Sequence, residues 1–179
     1  MTELAIDSHR PPSDNTDEHV RHSTIERDDV AFAGAMGPLY PGLVRRLVLV
    51  LGNREDAEDI AQEAYERAFR SWKTFDGREP RAWLHTIALR LAFNQLTRRR
   101  RWGAILDRAP RQVWSDPVDP DLWTALGAID PRARATLLLN TLDGYTLAEI
   151  AAMLAEPEGT VSSRLSRARA SLRKSLEAR

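Results

Sequence analysis

Three groups of side chains in this sequence have types and spacings suited to chemistry, and in each the chemistry is non-covalent. Asp56, Asp59, Glu63 and Glu66 follow one another at intervals of three, four and three, which on a helix makes one acidic stripe. Such a stripe either meets a partner or is simply solvated, and solvated acidic faces are common. Thr86, Arg90, Asn94 and Arg98 lie four apart and lead into the run Arg98, Arg99, Arg100, Arg101. Four consecutive guanidinium groups repel one another along a helix unless an anion neutralises them, so the run points to a polyanion. Near the end of the chain, Thr160, Ser162, Ser163, Arg164, Ser166 and Arg167 bring short hydroxyls and guanidinium groups together. Hydroxyls hydrogen-bond base edges or phosphates, and arginine can make a paired contact to guanine.

Covalent and metal chemistry find no support. There is no cysteine, hence no disulfide framework, thiolate site or cysteine nucleophile. His9, His19 and His22 fall in a polar tail and His85 stands alone, so neither a metal cluster nor a catalytic triad is legible. The first ten residues lack the apolar core of a signal peptide, and purely apolar runs such as Leu47 to Leu51 are far too short to span a bilayer. The expectation is a non-enzyme of the cytoplasm, without cofactor and without membrane insertion.

Net charge is zero, but its distribution is uneven. Residues 1–29 hold eight acids and three arginines; residues 78–111 hold nine arginines and two acids; residues 160–179 hold six bases and one acid. An acidic tail and two basic segments are a footprint of nucleic-acid binding.

The elements that must position these groups are helices. Residues 1–28 are polar and aperiodic and read as a disordered acidic tail. From 29 to 102 apolar residues recur at helical spacing, from 103 to 119 Gly103, Pro110 and Pro117 break the pattern into a linker, and helical spacing returns from 120 to 179. The fold class is therefore all-α, two small helical domains joined by a flexible linker. In the first, Leu43, Leu47 and Leu51 share a face, and Gly52-Asn53 ends that helix and caps the next. The next helix, from Arg54, buries Ala57, Ile60, Ala61, Ala64, Ala68 and Phe69. A third opens at Pro80 and buries Leu84, Ile87, Ala88 and Leu91. Trp83, Phe69 and Trp72 read as core aromatics.

The most specific pattern lies in the second domain. Thr146 and Glu149 form a capping box ahead of Leu147, Ile150, Ala151 and Leu154. Ala155-Glu156 makes a turn, and Pro157 opens a helix whose Val161, Leu165, Ala168 and Leu172 face inward. Thr160, Ser162, Ser163, Ser166 and Arg167 then face outward, as on the recognition helix of a helix-turn-helix. Arg164, Arg169, Arg173 and Lys174 are placed to neutralise phosphates. A plain helical hairpin with a solvated basic face is the alternative.

The segment NREDAEDIAQEAYERAFRSWKTFDG, Asn53 to Gly77, with PRAWLHTIALRLAFNQLTRRRR, Pro80 to Arg101, resembles region 2 of bacterial sigma factors. The segment YTLAEIAAMLAEPEGTVSSRLSRARASLRKSL, Tyr145 to Leu176, resembles region 4. Their order and the linker between them are similar to the extracytoplasmic-function (ECF) group. The resemblance implies an alternative sigma factor that binds core RNA polymerase and initiates transcription at promoters. Asp56, Asp59, Gln62 and Glu63 would dock on the β′ clamp helices. Thr86, Arg90, Asn94 and Arg98 to Arg101, with the loop Phe75 to Pro80, would open and read the −10 element. The helix-turn-helix would read the −35 element and touch the β flap. An anti-sigma factor is an implied partner. Thr86, Arg90, Ser162 and Ser166 depart from common family residues, which leaves both promoter sequences open. Ala155 stands where glycine is usual, and a left-handed alanine there costs about 1 kcal/mol. Two rivals remain: a helix-turn-helix regulator acting without polymerase, and a nucleic-acid enzyme, which no motif supports.

Overall fold

The computed structural model describes residues 28–101 and 119–177. Apart from their edge residues Asp28 and Asp119, the expected tail and linker lie outside them. All regular structure among the described residues is helical, as the periodicity predicts.

Helix α1 (residues 28–36) passes through a 3-10 turn, Gly37–Leu39, into α2, Tyr40–Leu51. Gly52 ends α2 at φ 75°, a left-handed conformation that costs a residue without a Cβ nothing, and its amide donates to the Val48 carbonyl at 2.8 Å. Asn53 then starts α3, Arg54–Arg70, by accepting the Asp56 amide on its side chain at 3.1 Å. A short 3-10 turn, Trp72–Thr74, and a loop lead to α4, Pro80–Arg101. The core of this half joins Phe32 and Met36 of α1, Leu43 and Leu47 of α2, and Leu84 and Ala88 of α4 around α3. Ala57, Ala61, Ala64 and Ala68 of α3 are wholly buried, and their small size lets both neighbouring helices approach. Phe69, expected to be buried, is 45% exposed, although its ring lies edge-on to Phe32 at 5.1 Å.

The second half is α5 (Pro120–Gly127), α6 (Pro131–Thr141), α7 (Leu147–Leu154) and α8 (Glu158–Glu177). Asp119 and Asp130 cap α5 and α6, each with proline next in sequence. The expected capping box opens α7: Thr146 accepts the Glu149 amide, and Glu149 accepts the Thr146 amide. Ala155 is left-handed at φ 53°, ψ 47°. The Glu156 amide reaches the Ala151 carbonyl and the Ala155 amide the Ala152 carbonyl, the Schellman arrangement that glycine normally closes. Pro157 is not the first residue of α8 but stands just before it, with its carbonyl accepting the Val161 amide at 3.2 Å.

The two halves do not keep separate cores. Val50, Leu89 and Phe93 of the first half pack in one cluster with Leu138, Leu139, Ile150 and Met153 of the second. Helix α4 is therefore apolar on two faces, one against α3 and one against α6 and α7. The sequence reading assigned it only the first.

Candidate functional site

The acidic stripe on α3 is only partly exposed. Asp59, Gln62, Glu63 and Glu66 face solvent. Arg67 pairs with Glu63 at 2.6 Å and Arg70 with Glu66 at 3.1 Å, one turn apart on the helix and worth only a few tenths of a kcal/mol each. Asp59 has no ion-pair partner among the described residues. Asp56 lies on the border of the stripe and turns inward. Both its oxygens receive the Arg99 guanidinium, at 2.7 and 2.5 Å, and Gln95 adds a third contact at 3.3 Å. This two-pronged pair ties α3 to α4 across the first half. Asp56 and Arg99, both expected at binding surfaces, thus meet each other instead.

On α4, Arg90, Asn94, Arg98 and Arg101 are exposed. Thr86 is half-buried and donates its hydroxyl to the Ala82 carbonyl. The side chain of Arg100 lies outside the description. The loop before α4 runs past a stack of rings: Trp72 on Phe75 at 5.4 Å and Phe75 on Trp83 at 4.3 Å, each partly exposed. Glu79, the residue entering α4, has φ 45°, a strained conformation for a side chain of its type.

The outward face of α8 is as expected. Thr160, Ser162, Ser163, Ser166 and Arg167 are exposed, while Val161, Leu165 and Ala168 are buried. Arg164 departs from the expectation. It is largely covered and shares Glu156 with Arg132, in a pairing that fixes the turn between α7 and α8. Arg169 is held by the Asn140 side chain at 2.7 Å.

A further set of polar residues, which the sequence reading did not single out, sits where the two halves meet. Arg134 of α6 is buried and donates to four carbonyls: Leu49 and Val50 at the end of α2, and Gly127 and Ile129 in its own half. A cation is stabilised at such helix C-termini, although burial pulls the guanidinium below its usual pKa. Asp143, in the turn after α6, has a fully covered side chain. Its Oδ1 accepts from Arg46 of α2 at 2.8 Å and from Arg81 of α4 at 2.5 Å. His85 of α4 lies beside this group with its ring edge-on to Tyr145 at 6.1 Å. Burial pushes the imidazole down to about 4; Asp143 opposes that shift, and Arg81 and Arg46 add to it. No local pattern marks these residues, because their partners are distant in sequence.

Among the described residues no helix is long and apolar enough to cross a membrane, and no group of three or more side chains is arranged to hold a metal ion. The arrangement offers charged and hydrogen-bonding surfaces on rigid helices, suited to recognition.

Comparison with known proteins agrees. Residues 34–102 match the family Sigma-70 region 2, and residues 120–172 match Sigma-70, region 4. The ECF RNA polymerase sigma factor SigE of Mycolicibacterium smegmatis is 34% identical over 134 residues, covering 68% of this chain and 52% of the relative. The chain thus spans about half the length of that relative. The ECF RNA polymerase sigma factor SigW of Bacillus subtilis is 29% identical, with 83% and 90% covered. Among solved structures, the sigma factor RpoE in complex with the anti-sigma factor NepR from Bartonella quintana superposes with a TM-score of 0.68 at 25% identity. That match covers 82% of this chain and 97% of that one. With both regions present, in order and on the matching fold, the chain belongs to the sigma-70 family and is of the extracytoplasmic-function type.

Proposed function

We propose that this chain is an alternative sigma factor that binds core RNA polymerase and directs it to promoters through −10 and −35 elements. The observation that carries this reading is the exposed acidic face of α3 on the same chain as a helix-turn-helix. A regulator that acts without polymerase has no use for that face. Asp59, Gln62 and Glu63 dock on the β′ clamp helices, while Asp56 and Arg99 brace the helix behind them. Thr86, Arg90, Asn94, Arg98, Arg100 and Arg101 bind the −10 region, with the Phe75–Trp83 ring stack beside the loop as a surface on which an unpaired base can stack. Thr160, Ser162, Ser163, Ser166 and Arg167 face the −35 major groove, with Arg164 holding the turn, and the same half touches the β flap. The factor is not itself catalytic, needs no cofactor and works in the cytoplasm. The likeness to a sigma factor solved with its anti-sigma factor supports an anti-sigma partner here too.

The test is co-purification with core RNA polymerase. Asp59→Lys with Glu63→Lys is expected to abolish it while leaving −35 DNA contacts intact. Retained polymerase binding by that variant would count against the docking face and, with it, the sigma reading.

A further inference from the structure

Arg164 stands among the DNA-facing residues of α8 and yet is turned away from them. On a helix, Thr160, Arg164, Arg167 and Ser171 follow at intervals of four, three and four and form one row. Thr160, Arg167 and Ser171 are exposed, whereas the Arg164 side chain is only 15% exposed. It runs back toward the start of the helix, as long helical side chains do, and donates to Glu156 Oε2 in the turn. Glu156 Oε1 meanwhile accepts from Arg132 of α6 at 2.9 Å, and Arg132 lies over the Phe93 ring at 4.5 Å. One largely covered carboxylate thus carries two cations, and they are not equivalent. Arg132 is 41% exposed and rests on a ring, so it keeps its place without the acid. Arg164 is covered, and without the acid its charge must find water or another anion.

We propose that Glu156 is a specificity-determining residue for DNA reading: by holding Arg164 back in the turn, it denies α8 a phosphate contact that carries no sequence information. This deepens the reading of α8 as a recognition helix and rests on it. The acid is fixed where it stands, because its amide donates to the Ala151 carbonyl at 3.0 Å and closes the end of α7. A guanidinium released from it emerges in the row between Thr160 and Arg167, where DNA phosphates approach. Such a contact strengthens binding to every sequence. A complex seated by base contacts is fixed on its site, whereas a complex on arbitrary sequence can shift to admit one more phosphate. The gain therefore falls mainly on the wrong sequences. The reading surface is made chiefly of short hydroxyls, from Thr160, Ser162, Ser163 and Ser166, so one added cation is a large change to it.

The test uses the full chain and two kinds of DNA. The chain alone is titrated with a duplex of arbitrary sequence over a range of salt. The chain on core RNA polymerase is offered the genomic fragment that gives the strongest run-off transcript, in competition with the same fragment carrying a replaced upstream element. Glu156→Gln is expected to raise affinity for the arbitrary duplex about fivefold, the worth of one exposed ion pair. The slope of log affinity against log salt steepens by roughly 0.9, one further phosphate. Preference for the intact fragment falls severalfold. Arg164→Met alone leaves the salt slope at its native value, and added to Glu156→Gln it cancels the gain. Circular dichroism checks that each variant keeps its helices. A helical Glu156→Gln variant with unchanged affinity and slope overturns the proposal. So does an Arg164→Met variant whose slope is shallower by roughly 0.9, since Arg164 would then already hold a phosphate in the native protein. Glu158→Gln makes an equal change of charge at an exposed position two residues on; the same gain there would trace the effect to general repulsion and overturn the proposal too. If the gain and its cancellation appear on the arbitrary duplex but no form of the chain binds polymerase, the restraint on Arg164 stands and the sigma reading fails.

Discussion

Arg134 gives the sharpest quantitative prediction about how the halves are joined. Its guanidinium donates to Leu49 and Val50 across the junction, each at 3.2 Å, and to Gly127 and Ile129 within its own half, at 3.1 and 2.9 Å. Arg134→Met keeps most of the apolar stem and removes the charge. A hydrogen bond to a charged group contributes roughly 1.5–3 kcal/mol, and the long cross-junction pair belongs at the lower end, about 3 kcal/mol for the two. Burying the guanidinium opposes this, since a buried charge loses hydration that methionine never had; an offset of about 1 kcal/mol leaves about 2 kcal/mol. At about 1.4 kcal/mol per tenfold, the ratio of packed to parted halves should fall roughly 30-fold. Dyes on cysteines introduced at the exposed positions Glu55 of α3 and Arg173 of α8, in a chain without native cysteine, measure it by energy transfer, with denaturant unfolding followed in parallel. Unchanged transfer together with a simple loss of global stability would refute the reasoning, because Arg134 would then serve only the α5–α6 turn.

Ala155→Gly should relieve the left-handed strain at φ 53°. Part of the gain is offset by the greater freedom of glycine when unfolded, leaving about 0.5–1 kcal/mol and a melting temperature up by about 2–4 °C; a lower melting temperature would contradict the strain. The packing of the two halves should also depend on pH. With its pKa lowered from 6.5 to about 4 by burial, His85 binds fewer protons while the halves are packed together. Its contribution is therefore fully present above about pH 6.5 and lost as pH falls toward 4, a shift of about 20-fold in the ratio between pH 7 and pH 5. The groups facing it are Arg46 from α2, Arg81 from α4, and Asp143 and Tyr145 from the α6–α7 turn, so His85→Leu should flatten the pH profile of energy transfer in that range; an identical profile in the variant would assign the effect to another group. Arg167→Ala should lose roughly 1–3 kcal/mol of −35 sequence discrimination, measured by competition between DNA variants, and an unchanged preference would remove it from the base-reading residues.

What could be read from the sequence was what depends on neighbours along the chain. Gly52-Asn53, Thr146 with Glu149, and Pro80 act within one turn, and each stands at the helix end it predicts. The left-handed Ala155 was legible only through the resemblance, which places glycine at that position. Asp56 was not, because on a helix it sits between the exposed Asp59–Glu63 side and buried Ile60. Which side it joins is decided by Arg99, 43 residues away. The junction was hidden in the same way: Asp143 and Arg46 are 97 residues apart, and neither belongs to a motif. One signal was available and went unused. Leu89, Phe93 and Leu96 make α4 apolar beyond the face needed for α3, and a helix apolar on two sides calls for a second neighbour.

A sigma factor gives polymerase its promoter specificity. Run-off transcription with purified chain, core RNA polymerase and genomic promoter fragments tests it most directly. Stable association and new, specific transcripts whose start sites share two upstream elements are expected. Failure of the chain to bind core polymerase would contradict it and leave a helix-turn-helix protein that acts on DNA alone.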